Sequence, residues 1–169
     1  AVTCIHAPHP EEVGADRIAN AVAAEKLYGA PSIVVDFGTA TNIDVVDSDG
    51  YYIGGAIAPG LRISMDALVA RAARIASIPL ETPPHAIGRT TEEAVQSGAV
   101  LGTAAMVEGL VGRIRAELGA PEARVIATGG LANIVADSTN VFDVVDGQLT
   151  LKGICEIARR MRDRVPRTA

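Results

Sequence analysis

Ile33-Val34-Val35-Asp36-Phe37-Gly38-Thr39-Ala40-Thr41-Asn42-Ile43-Asp44-Val45-Val46-Asp47 is the segment around which the predicted fold is arranged. It contains two β-branched runs, 33–37 and 43–46, which predict two buried strands that lie side by side. The short polar turn between them predicts a hairpin.

The turn between the two runs combines an acid, a glycine and two hydroxyl groups. Asp36 places a carboxylate at the end of the first strand, and Gly38 allows a large ligand to approach the backbone; Thr39 and Thr41 add the hydroxyl groups. This combination suits a polyphosphate with its counter-cation, because backbone N–H groups bind the oxygens while the acid holds a cation or a water molecule. The alternative is a hairpin loop whose residues serve turn chemistry alone.

The rest of the chain predicts an α/β fold. After the turn signal at 47–50, residues 51–58 predict a third antiparallel strand. Further strands are predicted at 123–128 and 141–145, and helices at 14–28, 61–75, 90–118 and 131–136 and from Thr150 onward. The proline-rich connection 77–90 is long for a compact domain, which indicates a functional loop.

Length and composition predict a single domain with an aliphatic core. The chain has 169 residues, of which 49% are hydrophobic and 3% aromatic. Its net charge of −5 and the lack of a long basic run disfavour nucleic acid and anionic membrane surfaces as partners. There is no run of about 18 apolar residues. Cys4 and Cys155 match no metal spacing, so we expect a reduced, cytoplasmic protein. The strand-like start at Ala1 indicates a fragment of a longer protein.

Gly14-Ala15-Asp16-Arg17 opens the first predicted helix. In one interpretation, Asp16 is an N-cap or first-turn acid that stabilises the helix. In the other, the glycine brings the backbone close to a ligand, while Asp16 accepts a proton and Arg17 binds an anion in a cleft. Taken alone, the motif favours the capping role.

The helix predicted at 90–118 carries two stripes. Thr90 and Glu93 fit a capping box at its start. The apolar stripe, expected in the core, is Val100, Ala104, Val107, Val111, Ile114 and Leu118. The second stripe is small: Gly98, Gly102, Ala105, Gly109 and Gly112. Since each glycine inside a helix costs about 1 kcal/mol relative to alanine, the small stripe predicts close approach of another helix, either within the fold or in a partner chain.

Gly129-Gly130 separates the strand predicted at 123–128 from the helix that follows it. Strand, two glycines and helix form a geometry in which the backbone can lie against a nucleotide, but the same pair is found in ordinary tight turns. The final helix is predicted to begin with Thr150 as its cap. Its apolar stripe is Leu151, Ile154, Ala158 and Met161.

Five motifs, in this order and spacing, resemble those of type III pantothenate kinases. They are Gly-Ala-Asp-Arg at 14–17, Asp-Phe-Gly-Thr-Ala-Thr at 36–41, Gly-Gly-Ala-Ile-Ala-Pro-Gly at 54–60, Thr-Thr-Glu-Glu-Ala-Val-Gln-Ser-Gly at 90–98 and Thr-Gly-Gly at 128–130. The resemblance implies an actin-like, ribonuclease-H-like fold with two lobes around an ATP cleft. It identifies this chain with the C-terminal lobe: 1–31 as the linking segment and first helix, and 32–169 as the main lobe, with helices packed on a mixed sheet that starts with three antiparallel strands.

The resemblance also implies roles for individual residues. Asp16 is the implied proton acceptor. Gly14, Ala15, Asp16 and Arg17 line the implied pantothenate site, and Thr91 is a second pantothenate contact. Asp36 is the implied ligand of a monovalent cation, potassium or ammonium. The implied ATP-binding residues are Gly38, Thr39, Gly129 and Gly130.

The implied activity is transfer of the γ-phosphoryl group of ATP to the primary hydroxyl of pantothenate, the first step of coenzyme A synthesis. Magnesium would accompany ATP, and the resemblance implies a homodimer with the pantothenate pocket near the interface. The chain departs from the family in one respect, because the phosphate loop Asp-x-Gly-Asn-Thr, whose acid helps to hold magnesium, does not occur in it. We therefore expect the chain by itself to fold but to be nearly inactive.

Two other functions remain open on the sequence. One is a non-enzymatic binding or regulatory module that kept the fold, although the acidic charge argues against direct DNA binding. The other is a different small-molecule kinase of the same superfold, against which the position of residues 14–17, one helix before the phosphate hairpin, argues.

Overall fold

A five-stranded sheet forms the centre of the computed structural model, which describes residues 5–71 and 78–163. The strands are β1 (Ser32–Phe37), β2 (Ala40–Val46), β3 (Tyr52–Pro59), β4 (Arg124–Thr128) and β5 (Val144–Val145). They lie in the order β3-β2-β1-β4-β5. The first three strands are antiparallel, whereas β4 is parallel to β1 and β5 is parallel to β4. This confirms the predicted mixed sheet with an antiparallel start.

The helices follow the predicted order. They are α1 (Ala15–Tyr28), α2 (Leu61–Arg71), α3 (Thr91–Gln96), α4 (Gly102–Leu118), α5 (Ala132–Ala136) and α6 (Leu149–Arg162). The π-helical residues Ser97–Leu101 join α3 to α4, so the long predicted helix is present with one irregular turn. The end predicted for the second helix, 72–75, lies outside the described residues.

Each face of the sheet is covered by its own helices, because side chains alternate between the two faces along a strand. On one face, Ile33, Val35 and Phe37 of β1 pack in a cluster with residues of α4 and α5. On the other face, Val34 and Ile126 pack with α1 and with Leu149 at the start of α6. The sheet is therefore the middle of three layers.

The predicted capping box at the long helix is half formed. The Thr90 hydroxyl oxygen accepts a hydrogen bond from the Glu93 backbone N–H at 3.1 Å, and the Glu93 carboxylate accepts one from the Arg89 N–H at 2.7 Å. The first bond satisfies a backbone donor that the helix start leaves free. The Glu93 carboxylate binds the residue before the cap instead of the Thr90 N–H that a capping box would use. Val100, Val107 and Val111 are buried against the sheet, as the predicted apolar stripe requires.

The cap predicted for the last helix is wrong. The helix begins at Leu149 with no side-chain cap, and the Thr150 hydroxyl instead bonds to α1. The stripe Leu151, Ile154, Ala158 and Met161 is exposed. The reason is close packing on another side, where Gly153 lies against Ala19 and an added Cβ atom would collide with the Ala19 carbonyl. A glycine therefore sets which face of α6 meets α1.

The small stripe of the long helix faces open space. A Cβ atom added at Gly98, Gly102, Gly109 or Gly112 would meet nothing within 4 Å, and Ala105 is exposed. Gly98 lines a pocket with residues of α2, but no described helix packs against the part of the stripe from Gly102 to Gly112, so packing inside the described fold does not explain that part.

Thr91–Leu118 is also the one helix of the described ranges that is long and apolar enough to cross a membrane, with a mean hydropathy of 1.3 over its most apolar stretch. The core helix of a folded domain meets the same test. Here the apolar stripe packs on the central sheet, which explains that composition.

Candidate functional site

Polar side chains gather on the face of the sheet that α1 covers. In the antiparallel pair of β1 and β2, Asp36 lies opposite Asn42 and Val34 opposite Asp44. Across the parallel pair, Asp36 lies beside Thr128. Because paired residues of neighbouring strands point to the same face, two acids, an amide and a hydroxyl share the face that packs on α1.

Arg17 of α1 is bound to the buried acid of β2. Its Nε and Nη2 atoms lie 2.8 and 2.7 Å from Oδ1 of Asp44, and the hydroxyl of Tyr52 donates to the same oxygen at 3.1 Å. The guanidinium also lies over the Tyr52 ring, 5.7 Å from its centroid. Oδ2 of Asp44 is buried and has no hydrogen-bond partner among the described residues.

Burial disfavours the charged forms of Arg17 and Asp44, whereas their mutual attraction favours them. Burial raises the pKa of Asp44, while the bonds from Arg17 and Tyr52 oppose that rise. Burial would lower the pKa of Arg17, but the bond and the charge of Asp44 outweigh it and the pKa is raised. Most of the predicted anion-binding capacity of Arg17 is thus committed to Asp44, and Nη1 is the guanidinium nitrogen left over.

Asp36 belongs to a second hydrogen-bonded group. Asn20 of α1 is fully buried, and its Nδ2 donates to Oδ2 of Asp36 at 2.9 Å. The hydroxyl of Thr150, on α6, donates to Oδ1 of Asn20 at 2.7 Å. Burial raises the pKa of Asp36, the Asn20 bond lowers it, and the negative charge of Asp16 raises it further. The predicted acid at the strand end is therefore partly buried, and the negative charge of Asp16 acts on it.

Asp16 lies in the first turn of α1, exposed and without a hydrogen-bonded or ion-paired partner in the described part of the chain. It is not the N-cap, because Gly14 takes that position. A Cβ atom on Gly14 would lie 2.6 Å from Oδ1 of Asp16, so the carboxylate lies over the start of its own helix. Of the two interpretations, the first-turn position agrees with the structure, and it leaves the carboxylate accessible to a ligand.

Two glycine turns meet at the end of β1. A Cβ atom on Gly129, whose φ is +93°, would lie 2.5 Å from Oδ1 of Asp36 and 2.6 Å from the Phe37 carbonyl oxygen. One on Gly38 would lie 3.8 Å from the same Oδ1. Gly60 packs against the turn of Gly38 and Thr39, since an added Cβ atom would collide with the carbonyls of these two residues. The structure therefore brings the predicted turns 38–39 and 129–130 to one end of the sheet.

Thr91 is not brought to this group. It begins α3 and is exposed, and the helix that it opens packs on the other face of the sheet through Val100. Thr90 is the cap, so the Thr91 hydroxyl is not used for capping.

The residues that the sequence analysis missed are Asn20, Asp44, Tyr52 and Thr150. One signal was available for Asp44, an acid inside a β-branched strand whose neighbours are apolar. Asn20 stood out in a helix otherwise rich in alanine, one turn after Asp16. Neither pattern names its partner, because the partners lie 16 to 130 residues away in the chain.

The end of β1 fits a cation that prefers oxygen ligands. Gly129 packs closely against two oxygens, since an added Cβ atom would lie only 2.5 Å from Oδ1 of Asp36 and 2.6 Å from the Phe37 carbonyl oxygen. The described residues hold no cluster of three or more His, Cys, Asp or Glu side chains. The oxygens that meet at this place are those of the Asp36 carboxylate and the Phe37 carbonyl.

Comparison with known proteins gives a consistent assignment. A family described as Type III pantothenate kinase matches residues 3–113. The chain is 57% identical over 157 residues to a type III pantothenate kinase of Thermomicrobium roseum, covering 93% of this chain and 60% of that relative. It is 52% identical over 151 residues to that of Paramagnetospirillum magneticum, covering 89% and 58%. The chain thus spans about three fifths of the length of these curated relatives.

Solved structures share the fold. A conserved protein from Campylobacter jejuni, described as a Baf family transcriptional activator, superposes with a TM-score of 0.63 at 21% identity, covering 91% of this chain and 67% of that chain. An activator of 2-hydroxyisocaproyl-CoA dehydratase from Clostridium difficile, with bound ADPNP, gives 0.53 at 13% identity, covering 91% and 71%. The chain therefore shares its fold with these two proteins over most of its length.

Proposed function

The chain belongs to the type III pantothenate kinase family, and we propose that the complete protein containing it transfers the γ-phosphoryl group of ATP to the primary hydroxyl of pantothenate. The chain corresponds to the C-terminal lobe of that protein and works in the cytoplasm, in the first step of coenzyme A synthesis. One observation carries the proposal: the exposed carboxylate of Asp16 lies near enough to Asp36 for its negative charge to raise the pKa of Asp36. Asp36 lies at the end of β1, where the turns of Gly38 and Gly129 meet.

Asp16 accepts the proton of the attacking hydroxyl. A general base must be accessible to the substrate, and Asp16 is exposed, without an ion-pair partner among the described residues. Gly14 and Ala15 leave room for pantothenate beside Asp16. Nη1 of Arg17 binds the carboxylate of pantothenate. Because phosphoryl transfer depends mainly on alignment and charge neutralisation, these residues act by holding the acceptor hydroxyl in place.

The two glycine turns hold the nucleotide. The backbone N–H groups of Gly38 and Thr39, with the Thr39 hydroxyl, bind phosphate oxygens, as small residues in turns commonly do. Gly129 and Gly130 let the other turn lie against the nucleoside part of ATP. Gly38, Thr39 and Gly130 are exposed and Gly129 is half-buried, and both turns lie at the same end of the sheet, which supports a shared ligand.

A monovalent cation, potassium or ammonium, is held by Asp36 with the Phe37 carbonyl. When bound, it offsets the negative charge of the phosphates. Magnesium enters with ATP, and the described residues contribute no carboxylate cluster to it.

Thr91 contacts pantothenate in a homodimer. Within one chain it belongs to the helix layer on the other face of the sheet, so a role in the same pocket needs a second copy. The open small stripe around Ala105 would let the long helices of two copies approach. Ala105→Leu should then weaken the dimer in sedimentation experiments, whereas Ala158→Leu on exposed α6 should not. An unchanged dimer with Ala105→Leu would remove this interface.

The test is pantothenate phosphorylation by the complete protein with ATP and magnesium, in potassium, sodium or tetramethylammonium chloride at equal ionic strength. We expect turnover of roughly 1 per second or more in potassium and a strong loss in tetramethylammonium. A pantothenate analogue without the primary hydroxyl is the control. No phosphorylated product in potassium would overturn the function, and equal rates in all three salts would remove Asp36 from the cation role.

A further inference from the structure

We propose that Asn20 is a positioning residue for Asp36: it binds one carboxylate oxygen so that the other stays directed at the place where the turns of Gly38 and Gly129 meet, and Thr150 fixes the orientation of the Asn20 amide. The inference rests on the proposed function, because the cation and the nucleotide phosphates would lie beside these turns. It adds a residue on α1 and one on α6 to a site otherwise built from the sheet.

The burial of Asn20 needs an explanation. It is fully buried, and its neighbours Ala19, Ala21, Ala23 and Ala24 on α1 are buried alanines. An amide in such a place costs free energy unless both of its ends are hydrogen-bonded. Here both are, to Asp36 at 2.9 Å and to Thr150 at 2.7 Å. An alanine would suit close packing of α1 on α6 equally well, so packing alone does not explain the amide.

The direction of the two bonds is determined by chemistry. An ionised carboxylate only accepts hydrogen bonds, so the Asn20 nitrogen must face Asp36 and its oxygen must face the other way. The Thr150 hydroxyl can then donate to that oxygen. If the hydroxyl were missing, the buried amide oxygen would be left without this donor, and the amide could turn away from Asp36.

The consequence lies at Asp36. Oδ2 is occupied by Asn20, and Oδ1 is the oxygen within 2.5 Å of where a Gly129 side chain would begin and 3.8 Å of the corresponding place on Gly38. Asp16 is the nearby negative charge, and it would repel a carboxylate that was free to turn. The Asn20 bond thus selects which oxygen faces the two glycine turns.

The test compares four variants of the complete protein: Asn20→Leu, Thr150→Val, the conservative Thr150→Ser, and Tyr28→Phe. The last is a matched control, because Tyr28 also lies on α1 and donates a 2.7 Å hydrogen bond, but to Asp146 rather than to Asp36. The first readout is the thermal midpoint as a function of potassium chloride, with tetramethylammonium chloride as the reference salt and no nucleotide present. The second is the potassium concentration that gives half-maximal pantothenate phosphorylation.

Groups that hydrogen-bond a metal ligand from behind typically change metal affinity by about 10- to 100-fold when removed. We therefore expect Asn20→Leu to raise the half-saturating potassium concentration about 10-fold in both readouts and Thr150→Val to raise it less. Thr150→Ser should keep the wild-type value. Tyr28→Phe should lower the midpoint in every salt without moving the potassium dependence.

Each failure has a separate meaning. If the wild-type protein does not respond to potassium in either readout, the cation part of the proposed function fails and this inference falls with it. If the wild type responds and both Asn20→Leu and Thr150→Val keep its half-saturating concentration, the inference is overturned while the function stands. If Asn20→Leu does not fold, Thr150→Val against Thr150→Ser decides alone.

Discussion

The two faces of the central sheet are built from alternate residues of the same strands, yet they differ in chemistry. Under α4, β1 and β2 present Ile33, Val35, Phe37 and Ile43, all buried and apolar. Under α1 the same strands present Asp36 and Asp44, with Asn20 and Arg17 facing them. Both faces are covered by helices, so exposure to solvent does not explain the difference.

The comparison separates stability from function. The apolar face gains free energy by burying aliphatic surface, at about 25 cal/mol per Å². The polar face must satisfy buried charges, and it does so incompletely, since Oδ2 of Asp44 has no partner in the described ranges. A buried ion pair is often no more stabilising than apolar residues of the same size. We infer that the polar face is kept for its chemistry and the apolar face for its stability.

The largest effect on stability is expected from the apolar face. Ile33→Ala removes a fully buried side chain from the central strand and should lower the free energy of unfolding by about 2–5 kcal/mol. Urea unfolding measures the loss. The KM for pantothenate of the folded complete protein should stay at the wild-type value, and a change in KM with little loss of stability would reverse the assignment of this face.

A smaller loss of stability is expected from Asp44→Asn on the polar face. The change keeps the size of the side chain but leaves Arg17, whose side chain is 16% exposed, without its charge partner. Removing one member of a fully buried pair costs about 3–5 kcal/mol, and the partial exposure of Arg17 reduces this to about 2 kcal/mol. Turnover of the complete protein should fall as well, because Arg17 adjoins Asp16.

Asp49→Asn is the control for that substitution. Asp49 lies in the exposed turn after β2, and surface changes of this kind usually alter stability by less than about 0.5 kcal/mol. If Asp44→Asn and Asp49→Asn have the same small effect on unfolding and on turnover, the buried pair has neither of the roles that we assign to it.

Much of the apolar face could be predicted from the sequence, because it depends on local patterns. The β-branched run around Val35 and the spacing of Val100, Val107 and Val111 specify a strand and a helix without knowledge of their partners. The sequence also predicted a strand that ends near the acid Asp36 and a turn containing Gly38 directly after it. These signals lie within a few residues of each other.

The polar face could be predicted only in part. Asp36 and Asp16 were named from motifs, but Asn20 and Asp44 were not, because hydrogen bonds between distant segments leave no periodic signal. The same limit explains α6. Its apolar stripe does not indicate the buried side, because the contact of Gly153 with Ala19 depends on tertiary packing. Thr91 was assigned from its motif, and only the fold places it on the other layer.

The central claim is that Asp16 is the general base of a pantothenate kinase. Asp16→Asn in the complete protein removes the basic group at constant size. Because Asp16 is exposed and has no hydrogen-bonded partner among the described residues, we expect the free energy of unfolding to stay within about 1 kcal/mol of wild type.

The deciding measurement is the turnover number for phosphoryl transfer from ATP to pantothenate in potassium, compared between wild type and Asp16→Asn. Loss of a general base should lower it by about 10²-fold or more, with the thermal midpoint essentially unchanged. Turnover near the wild-type value in the folded variant would contradict the account.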